Sequence, residues 1–120
     1  MSKCYYIAGP MRGLPEFNFP EFNYAADALR NGDHHVFNPA ERDLERGFDP
    51  EGMSGNENLT ELGFDLRDAL AADTQFICLQ ATHLYMLRSW EKSSGARAEW
   101  ALANALGLTI EYQEATSCTL

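Results

Sequence analysis

The sequence predicts an α/β fold, a three-layer sandwich built on a small and mostly parallel sheet. Short apolar segments alternate along the chain with segments of helical periodicity, and this alternation is typical of βαβ units. The first two apolar segments end at Gly9-Pro10 and at Asn38-Pro39, which are residues that interrupt strands. The chain has 120 residues, so we predict one domain over residues 1–120.

These two signals place the individual elements. Apolar runs predict strands over residues 3–8, 35–38, 83–87 and 108–112. Helical periodicity predicts helices over residues 18–30, 59–80 and 94–106, the second with a break near Gly63. We expect left-handed backbone at Asn31-Gly32 to end the first helix, and Gly107 to end the last. Residues 46–58 are rich in Gly, Asp and Asn and predict a long loop, and such loops often serve as lids or binding elements.

Composition and charge exclude several classes of function. The net charge of −9 argues against a nucleic acid polymer as partner, because affinity for phosphate backbones comes mainly from Lys and Arg. No apolar run is long enough to span a membrane, and the N-terminus leads into a strand rather than a signal peptide. We therefore expect a cytoplasmic protein that binds a small molecule. Cys4, Cys78 and Cys118 are widely spaced, which predicts reduced thiols; we predict no metal and no cofactor.

Three polar turns are expected to meet at one edge of the sheet. The segment Gly9-Pro10-Met11-Arg12-Gly13 follows the first strand, Asn38-Pro39 follows the second, and Ser93-Ser94-Gly95 precedes the last helix. Ligands of open parallel sheets bind at the carboxyl ends of the strands. The sequence therefore predicts a small-molecule site among these three turns.

Two carboxylates fall on helix faces that are otherwise apolar. Glu99 lies on the face that the last helix packs against the sheet, and Asp73 interrupts the apolar stripe of the preceding helix. The apolar residues of these faces are Leu102, Ala103 and Leu106 around Glu99, and Leu66, Leu70 and Ile77 around Asp73. A buried carboxylate without a partner is strongly destabilising, so something must compensate it. Paired carboxylates suit glycosidic chemistry, in which one attacks the sugar and the other handles the proton.

Each of these signals also has a structural interpretation. Glu99 would then be a flank residue, or an ion-pair partner of Arg97 or Arg12. Asp73 would cap a new helix after a break. The turn Ser93-Ser94-Gly95 is a good N-cap, and it is equally an anion site, because free amides and the helix dipole point at it.

Three segments together resemble a phage and bacterial branch of the nucleoside 2-deoxyribosyltransferase-like superfamily. They are residues 6–13 (YIAGPMRG), 37–41 (FNPAE) and 90–99 (WEKSSGARAE). The resemblance extends over nearly the whole chain, from Tyr6 to about Tyr112. It implies a flavodoxin/Rossmann-like α/β fold and cleavage of the N-glycosidic bond of deoxynucleosides or their monophosphates.

The resemblance also assigns roles to individual carboxylates. It implies that Glu99, four residues after Gly95, is the nucleophile that forms a covalent deoxyribosyl intermediate. It implies an aspartate as the partner of this glutamate. Asp73 matches that aspartate best, and Asp65 and Asp68 remain alternatives.

A phosphate site at Ser93 is a further implication of the resemblance. The monophosphate N-glycosidase branch carries a serine six residues before the glutamate, and this favours a 5′-monophosphate as substrate. We expect Ser93, Ser94 and Gly95 to hold the phosphate, with Arg12 as a charge partner, and Tyr6 to line the pocket near the glutamate. The other predicted substrate-binding residues are Gly9, Pro10, Met11, Gly13 and Asn38.

The leading hypothesis is therefore cleavage of the N-glycosidic bond of a 2′-deoxynucleoside 5′-monophosphate, or transfer of its deoxyribosyl group. The alternative is a non-catalytic protein of phage origin that binds or sequesters a nucleotide. A third interpretation is a structural protein in which Glu99 and Asp73 form buried ion pairs. Superfamily members are dimers or larger, so the resemblance implies a homodimer or a higher homo-oligomer, located in the host cytoplasm if the protein is phage-encoded.

Overall fold

The computed structural model describes residues 3–114 and confirms the α/β fold. The strands are β1 (Cys4–Ala8), β2 (His35–Phe37), β3 (His83–Met86) and β4 (Thr109–Tyr112). The helices are α1 (Phe19–Arg30), α2 (Pro39–Glu45), α3 (Leu66–Leu79) and α4 (Ser94–Leu106), with short 3-10 helices at Pro15–Asn18 and Trp90–Lys92. All strand pairs are parallel and the order is β2-β1-β3-β4, so β2 lies on one side of β1 and β3 on the other. This is a flavodoxin/Rossmann-like arrangement.

The two faces of the sheet are covered by different helices, which gives three layers. On one face, Tyr6 and Leu84 belong to a buried core with Ile77 of α3 and Ala103 of α4. On the other face, Ile7 belongs to a second core with buried residues of α1. Successive side chains of a strand point to opposite faces, so Tyr6 and Ile7 enter different cores. The side chain of Tyr6 therefore lies on the face that α3 and α4 cover.

The strands and the last helix lie where the sequence predicts them. Each strand agrees with its predicted bounds to within one residue, and α4 has the predicted bounds. Gly107 ends α4 in the left-handed region, with φ 76°. Leu106, predicted on the packed face, is nevertheless 46% exposed, because it lies in the final turn of the helix.

The predicted end of α1 is wrong in detail. Asn31 is right-handed, with φ −64°, and the left-handed residue is Asp33, with φ 65°. The chain continues to turn beyond Arg30, because Gly32 N donates to Leu29 O at 3.0 Å. Aspartate tolerates the left-handed conformation. Asp33 therefore adopts the left-handed backbone that the sequence pattern predicts for Asn31-Gly32.

Helix α2 is not predicted by the sequence pattern, which takes Pro39 simply as the end of β2. Asn38 has an extended backbone and its Oδ1 accepts a 3.0 Å hydrogen bond from Ala40 N. Pro39 then occupies the first turn of the helix, where its missing N–H and restricted φ are favourable. The same two residues therefore end β2 and start α2.

Helix α3 begins later than predicted. Residues 59–63 form turns instead of the first part of a helix, and Gly63 has φ 80°. Asp65 caps the helix, because its Oδ1 accepts a 3.1 Å hydrogen bond from Asp68 N. The predicted break near Gly63 is thus the true boundary of α3, and Leu66 in its first turn is 62% exposed.

The loop over residues 46–58 is held against the turn that follows β1. Gly13 N donates to Gly55 O at 2.8 Å. The guanidinium of Arg12 donates to Glu57 O, also at 2.8 Å. These contacts make the loop a fixed neighbour of the predicted site.

Gly55 is the residue on which this contact depends most. A Cβ at Gly55 would lie 2.0 Å from Leu14 O, and its φ of +97° is unfavourable for any other residue. We expect Gly55→Ala to lower the free energy of unfolding by roughly 3 kcal/mol or more, because backbone strain and a clash with main-chain atoms add together. Gly47→Ala is the matched control, since Gly47 has φ +99° and open space around it. Urea denaturation measures both; an equal loss in the two variants would contradict the close packing described here.

Two further expectations concern membranes and thiols. Within residues 3–114, no helix has the length and apolar character needed to cross a membrane. Cys4 and Cys78 are free thiols. Cys118 lies outside the described residues.

Candidate active site

A cavity of about 360 Å³ opens at the carboxyl end of β1, beside α3 and the start of α4. This is the place that the strand order predicts, because the crossover connections reverse direction at β1. The predicted site residues that line it are Tyr6, Gly9, Met11, Arg12, Asp73, Ser93, Ser94, Gly95 and Glu99. Pro10 and Gly13 line an adjoining cavity of about 510 Å³.

Glu99 is buried and hydrogen-bonded inside this cavity. It is 6% exposed, and its Oε2 accepts a 2.7 Å hydrogen bond from the hydroxyl of Tyr6. The contact follows from the fold, since β1 turns Tyr6 towards the helices and the start of α4 turns Glu99 towards the sheet. The predicted inner-face position of Glu99 is confirmed.

The ion-pair interpretation of Glu99 is not what the structure shows. The guanidinium of Arg97 donates to Glu91 O at 2.8 Å, and that of Arg12 donates to Glu57 O. Both arginines proposed as partners are therefore directed to backbone carbonyls. Within residues 3–114, the side chain that donates a hydrogen bond to the carboxyl group of Glu99 is Tyr6.

Asp73 is the aspartate that the fold brings into the cavity. It lies in the middle of α3 and lines the same cavity as Glu99, so it does not cap a new helix. Asp65 is the cap of α3, and Asp68 forms a 3.6 Å ion pair with Arg46. Of the three aspartates that the resemblance leaves open, Asp73 is therefore the one placed beside Glu99.

Burial raises the pKa values of both carboxyl groups. The pKa of Glu99 is raised to about 8, mainly by burial and also by the negative charge of Asp73, whereas the hydrogen bond from Tyr6 acts in the opposite direction. Burial also raises the pKa of Asp73 to about 6, against the lowering effects of Tyr6, Arg46 and Arg42. The pKa of Tyr6 is raised well above its ordinary value, chiefly by burial, so Tyr6 remains a neutral donor. At neutral pH the carboxyl pair therefore holds close to one proton.

A third carboxyl group, Asp43 of α2, lies near the pair and is not predicted from the sequence. It is 7% exposed, and burial, followed by the charge of Asp73, raises its pKa to about 7, whereas Arg46 lowers it. Asp43 does not line the cavity, and its link to the pair is the charge of Asp73, which raises its pKa. The sequence signal that indicates Asp43 is the helix start at Asn38-Pro39. A helix that begins there has Ala40 and Asp43 on one face, because they are three residues apart.

The start of α4 presents backbone N–H groups to the cavity. Ser93 is the N-cap, and its Oγ accepts a 3.1 Å hydrogen bond from Ala96 N. Ser94 and Gly95 follow in the first turn, where backbone N–H groups have no partner within the helix. A Cβ on Gly95 would meet only Ser93 Oγ, at 3.9 Å, so the space beside this turn is open. The N-cap role of Ser93 is confirmed, and the anion site stays a prediction that this geometry permits.

Gly9 and Asn38 have structural roles in the same region. A Cβ on Gly9 would lie 2.7 Å from the Cβ of Leu87, so glycine allows the close approach of the two chain segments. Asn38 is 1% exposed; its Oδ1 accepts from Ala40 N and its Nδ2 donates to Asn23 Oδ1 at 3.0 Å. Asn38 lines neither cavity. Its amide is used to start α2, and the structure offers no support for the predicted substrate contact.

A comparison with known proteins matches the chain to a protein family. Residues 3–112 match the family described as Domain of unknown function (DUF4406). The chain belongs to this family. No curated protein and no solved structure matches the chain. The DUF4406 match runs from the residue before β1 to the end of β4 and so includes every residue of the cavity.

In this DUF4406 chain the adjoining cavity differs from the first in charge. It is lined by the cationic residues Arg12, Arg88 and Lys92, and by one acidic residue, Glu21. Residues common to both cavities are Met11, Arg12, Ser93 and Ser94, so the two meet at the start of α4. Within residues 3–114, no group of three or more His, Cys, Asp or Glu side chains is arranged to hold a metal ion.

Proposed function

We propose that the chain cleaves the N-glycosidic bond of a 2′-deoxynucleoside 5′-monophosphate, or transfers its deoxyribosyl group, through a covalent intermediate on Glu99. One observation carries the proposal: the carboxyl group of Glu99 is buried, accepts a 2.7 Å hydrogen bond from Tyr6, and shares a cavity with Asp73. Glycosidic chemistry requires such a pair, because one group attacks the sugar and the other handles the proton. The resemblance of residues 6–13 and 90–99 to the deoxyribosyltransferase-like superfamily supports the same assignment.

The reaction takes place in two displacements. In the first, a carboxylate oxygen of Glu99 bonds to C1′ of the sugar while the C1′–N bond breaks, and the bond's electron pair leaves with the base. The base takes up the proton held by Asp73. In the second, ionised Asp73 removes a proton from water, or from an acceptor, whose nucleophilic atom attacks C1′ and releases the Glu99 carboxylate. With water the products are the free base and deoxyribose 5-phosphate.

The first displacement requires the shared proton to be on Asp73. The higher pKa of Glu99, about 8 against about 6 for Asp73, favours Glu99 as the holder of that proton before substrate binds. The hydrogen bond from Tyr6 favours ionised Glu99, and the nitrogen of a bound base provides Asp73 with an acceptor for the proton. Substrate binding therefore moves the proton between the two carboxyl groups, and the singly protonated pair is the reactive form.

We assign the 5′-phosphate to the start of α4. Ser93, Ser94 and Gly95 line the cavity there, and a helix start attracts anions through its free amides and its dipole. Arg12 supplies a positive charge at the edge of the same cavity and is held in place by Glu57 O. Phosphate binding at this point leaves the sugar between the serines and Glu99.

Incubation of the protein with each of the four 2′-deoxynucleoside 5′-monophosphates tests the proposal. We expect at least one of them to release its free base, detected by chromatography, because the carboxyl pair acts on the bond between sugar and base. The corresponding ribonucleotides are the matched control, because they differ from these substrates only in the 2′-hydroxyl group and, for thymidine, in the base methyl group. If no nucleotide releases its base with the wild-type protein, the proposed reaction is wrong.

A second candidate function is nucleotide binding without turnover. The observation that favours it is the burial of Glu99, which raises the pKa of its carboxyl group to about 8, because a protonated carboxyl group is a poor nucleophile. This function predicts a tightly bound nucleotide that copurifies with the protein. Mass spectrometry of the supernatant after denaturation distinguishes the two functions, since an enzyme that turns over releases its products.

We further propose that the chain acts as a homodimer or higher homo-oligomer in the cytoplasm, where its proposed substrates occur. Leu66 is 62% exposed and lines the cavity. A second copy that covered this side chain would remove apolar surface from water and narrow the cavity opening. Analytical ultracentrifugation measures the mass in solution, and a monomer at micromolar concentration would contradict this arrangement.

A further inference from the structure

The two adjoining cavities carry opposite charge. The first contains Glu99 and Asp73 as its acidic residues, with Arg12 at its edge. The second is lined by Arg12, Arg88 and Lys92 against Glu21 alone. The chain as a whole has 9 Lys and Arg residues and 18 Asp and Glu residues, so a cavity dominated by cations is a departure from the rest of its surface. The second cavity therefore favours an anion that reaches beyond the first.

The size of the second cavity is greater than one phosphate group requires. Its volume of about 510 Å³ is within the range of cavities that bury whole small molecules. The proposed 5′-phosphate position at Ser93 and Ser94 lies where the two cavities meet. A single phosphate at that position leaves most of the cationic cavity without an anion.

The cationic side chains of the second cavity differ in their contacts with the rest of the protein. Arg88 donates from its guanidinium to Glu21 Oε1 at 3.3 Å and to Glu114 O at 3.2 Å, so its charge is partly neutralised. Lys92 ends the 3-10 helix that leads into Ser93 and is exposed. Lys92 therefore immediately precedes the proposed phosphate position in the chain, and it lines the second cavity.

We propose that the preferred ligand is a 2′-deoxynucleoside 5′-di- or triphosphate. Its sugar faces Glu99, its first phosphate lies at Ser93 and Ser94, and its terminal phosphates occupy the cationic cavity beside Lys92 and Arg12. This inference rests on the proposed function, because it extends the ligand assigned to the carboxylate cavity. The chemistry that recognises the additional phosphates is charge-assisted hydrogen bonding from ammonium and guanidinium groups.

Binding to the full-length Glu99→Gln variant tests the inference without turnover. Dissociation constants are measured by calorimetry for the 5′-mono- and 5′-triphosphates of the four 2′-deoxynucleosides, at low salt and without divalent cations. We expect at least one triphosphate to bind about tenfold or more tightly than its monophosphate, because each added phosphate meets a cation. Screening should reduce this ratio at high salt.

Lys92→Gln in the same background identifies the residue responsible. We expect it to lower the affinity for the triphosphate about tenfold and that for the monophosphate distinctly less. Arg67→Gln is the matched control, because it removes one positive charge from an exposed position of α3 that lines neither cavity. It should leave the ratio unchanged. A monophosphate that binds as tightly as its triphosphate, or a Lys92→Gln variant that weakens both equally, would overturn the inference.

Base release by the wild-type protein separates this inference from the proposed function. Release from monophosphates, with no preference for di- or triphosphates in binding or rate, overturns the inference and leaves the proposed function standing. Tighter binding of triphosphates without release of any base supports the inference and overturns the proposed reaction. Release with a preference for the longer phosphate chain supports both.

Discussion

Replacing Glu99 by Gln is expected to reduce the rate of base release by roughly a thousandfold or more, because an amide is neutral and does not attack the sugar. The substitution keeps the size of the side chain, and its amide oxygen still accepts the hydrogen bond from Tyr6. The fold should therefore remain intact. Chromatography of the released base measures the rate, and circular dichroism checks the fold.

The same variant is expected to be more stable than the wild type at neutral pH. The pKa of Glu99 is raised from 4.5 to about 8, so the folded protein keeps a proton that the unfolded chain releases. Wild-type stability consequently falls as the pH rises from about 5 to about 8, and the loss at pH 7 is roughly 3 kcal/mol. Gln cannot ionise, so the free energy of unfolding of Glu99→Gln should exceed that of the wild type by about 1 to 3 kcal/mol at pH 7. The difference should vanish near pH 4.

Glu91→Gln is the matched control for both measurements. Glu91 is an exposed residue in the short 3-10 helix before α4, so the substitution makes the same chemical change outside the cavity. We expect it to leave the rate and the pH dependence of stability unchanged. A Glu99→Gln variant that releases base at the wild-type rate would show that Glu99 is not the nucleophile. A variant destabilised at pH 7 would favour a structural role.

Replacing Asp73 by Asn is expected to reduce base release by roughly 10² to 10⁴-fold, because the departing base loses its proton donor. The change should also alter the form of the pH profile. In the wild type, activity requires the singly protonated pair, so kcat/KM should peak between the pKa values of about 6 and about 8. In Asp73→Asn the residual activity should require only ionised Glu99 and rise with pH to a plateau.

The position of that rise is a further part of the prediction. The negative charge of Asp73 raises the pKa of Glu99, so its removal should move the titration of Glu99 below pH 8. Asp68→Asn is the matched control on the same helix, because Asp68 is exposed and paired with Arg46. It should retain both the rate and the peaked profile. A peaked profile that survives in Asp73→Asn would assign the fall in activity at high pH to the proton of another group, and the buried Asp43, which interacts with Asp73 through charge, is the candidate.

Much of the fold follows from local signals in the sequence. Helix α4 has its predicted bounds, because Ser93 caps its start and Gly107 ends it in a conformation that favours glycine. The inner-face position of Glu99 follows for the same reason, because the helix bounds determine which face packs on the sheet. For α4, helical periodicity together with the two capping residues is therefore sufficient to predict its bounds and its packed face.

Other features depend on sequence patterns that are compatible with two different local structures. The pair Asn38-Pro39 ends a strand and also starts a helix, whereas the sequence pattern by itself predicts only the end of the strand. The buried Asp43 was missed in consequence. Asn38 was predicted to contact substrate because of its place after β2, yet its amide is used by Ala40 and Asn23. Which partner a buried amide finds is decided by packing between distant segments.

The pairing of carboxyl groups and the charge of the second cavity depend on three-dimensional contacts. Asp73 and Glu99 are far apart in the chain, and the β2-β1-β3-β4 sheet brings their helices onto one face. Lys92 and Arg12 line one cavity because β1 and β3 are neighbours in the sheet, which brings together the segments that follow them. Residue spacing places each carboxylate on an inner helix face, but it contains no information on which residues meet across a cavity.

The stereochemistry of transfer to methanol tests the covalent intermediate most directly. A deoxynucleotide that the protein cleaves is incubated in aqueous methanol, and the methyl deoxyriboside 5-phosphate formed is examined by proton NMR. Two successive displacements through Glu99 retain the β configuration at C1′, and a single direct attack inverts it. We predict the β product, and none of it with Glu99→Gln. Formation of the α product would contradict a covalent intermediate on Glu99.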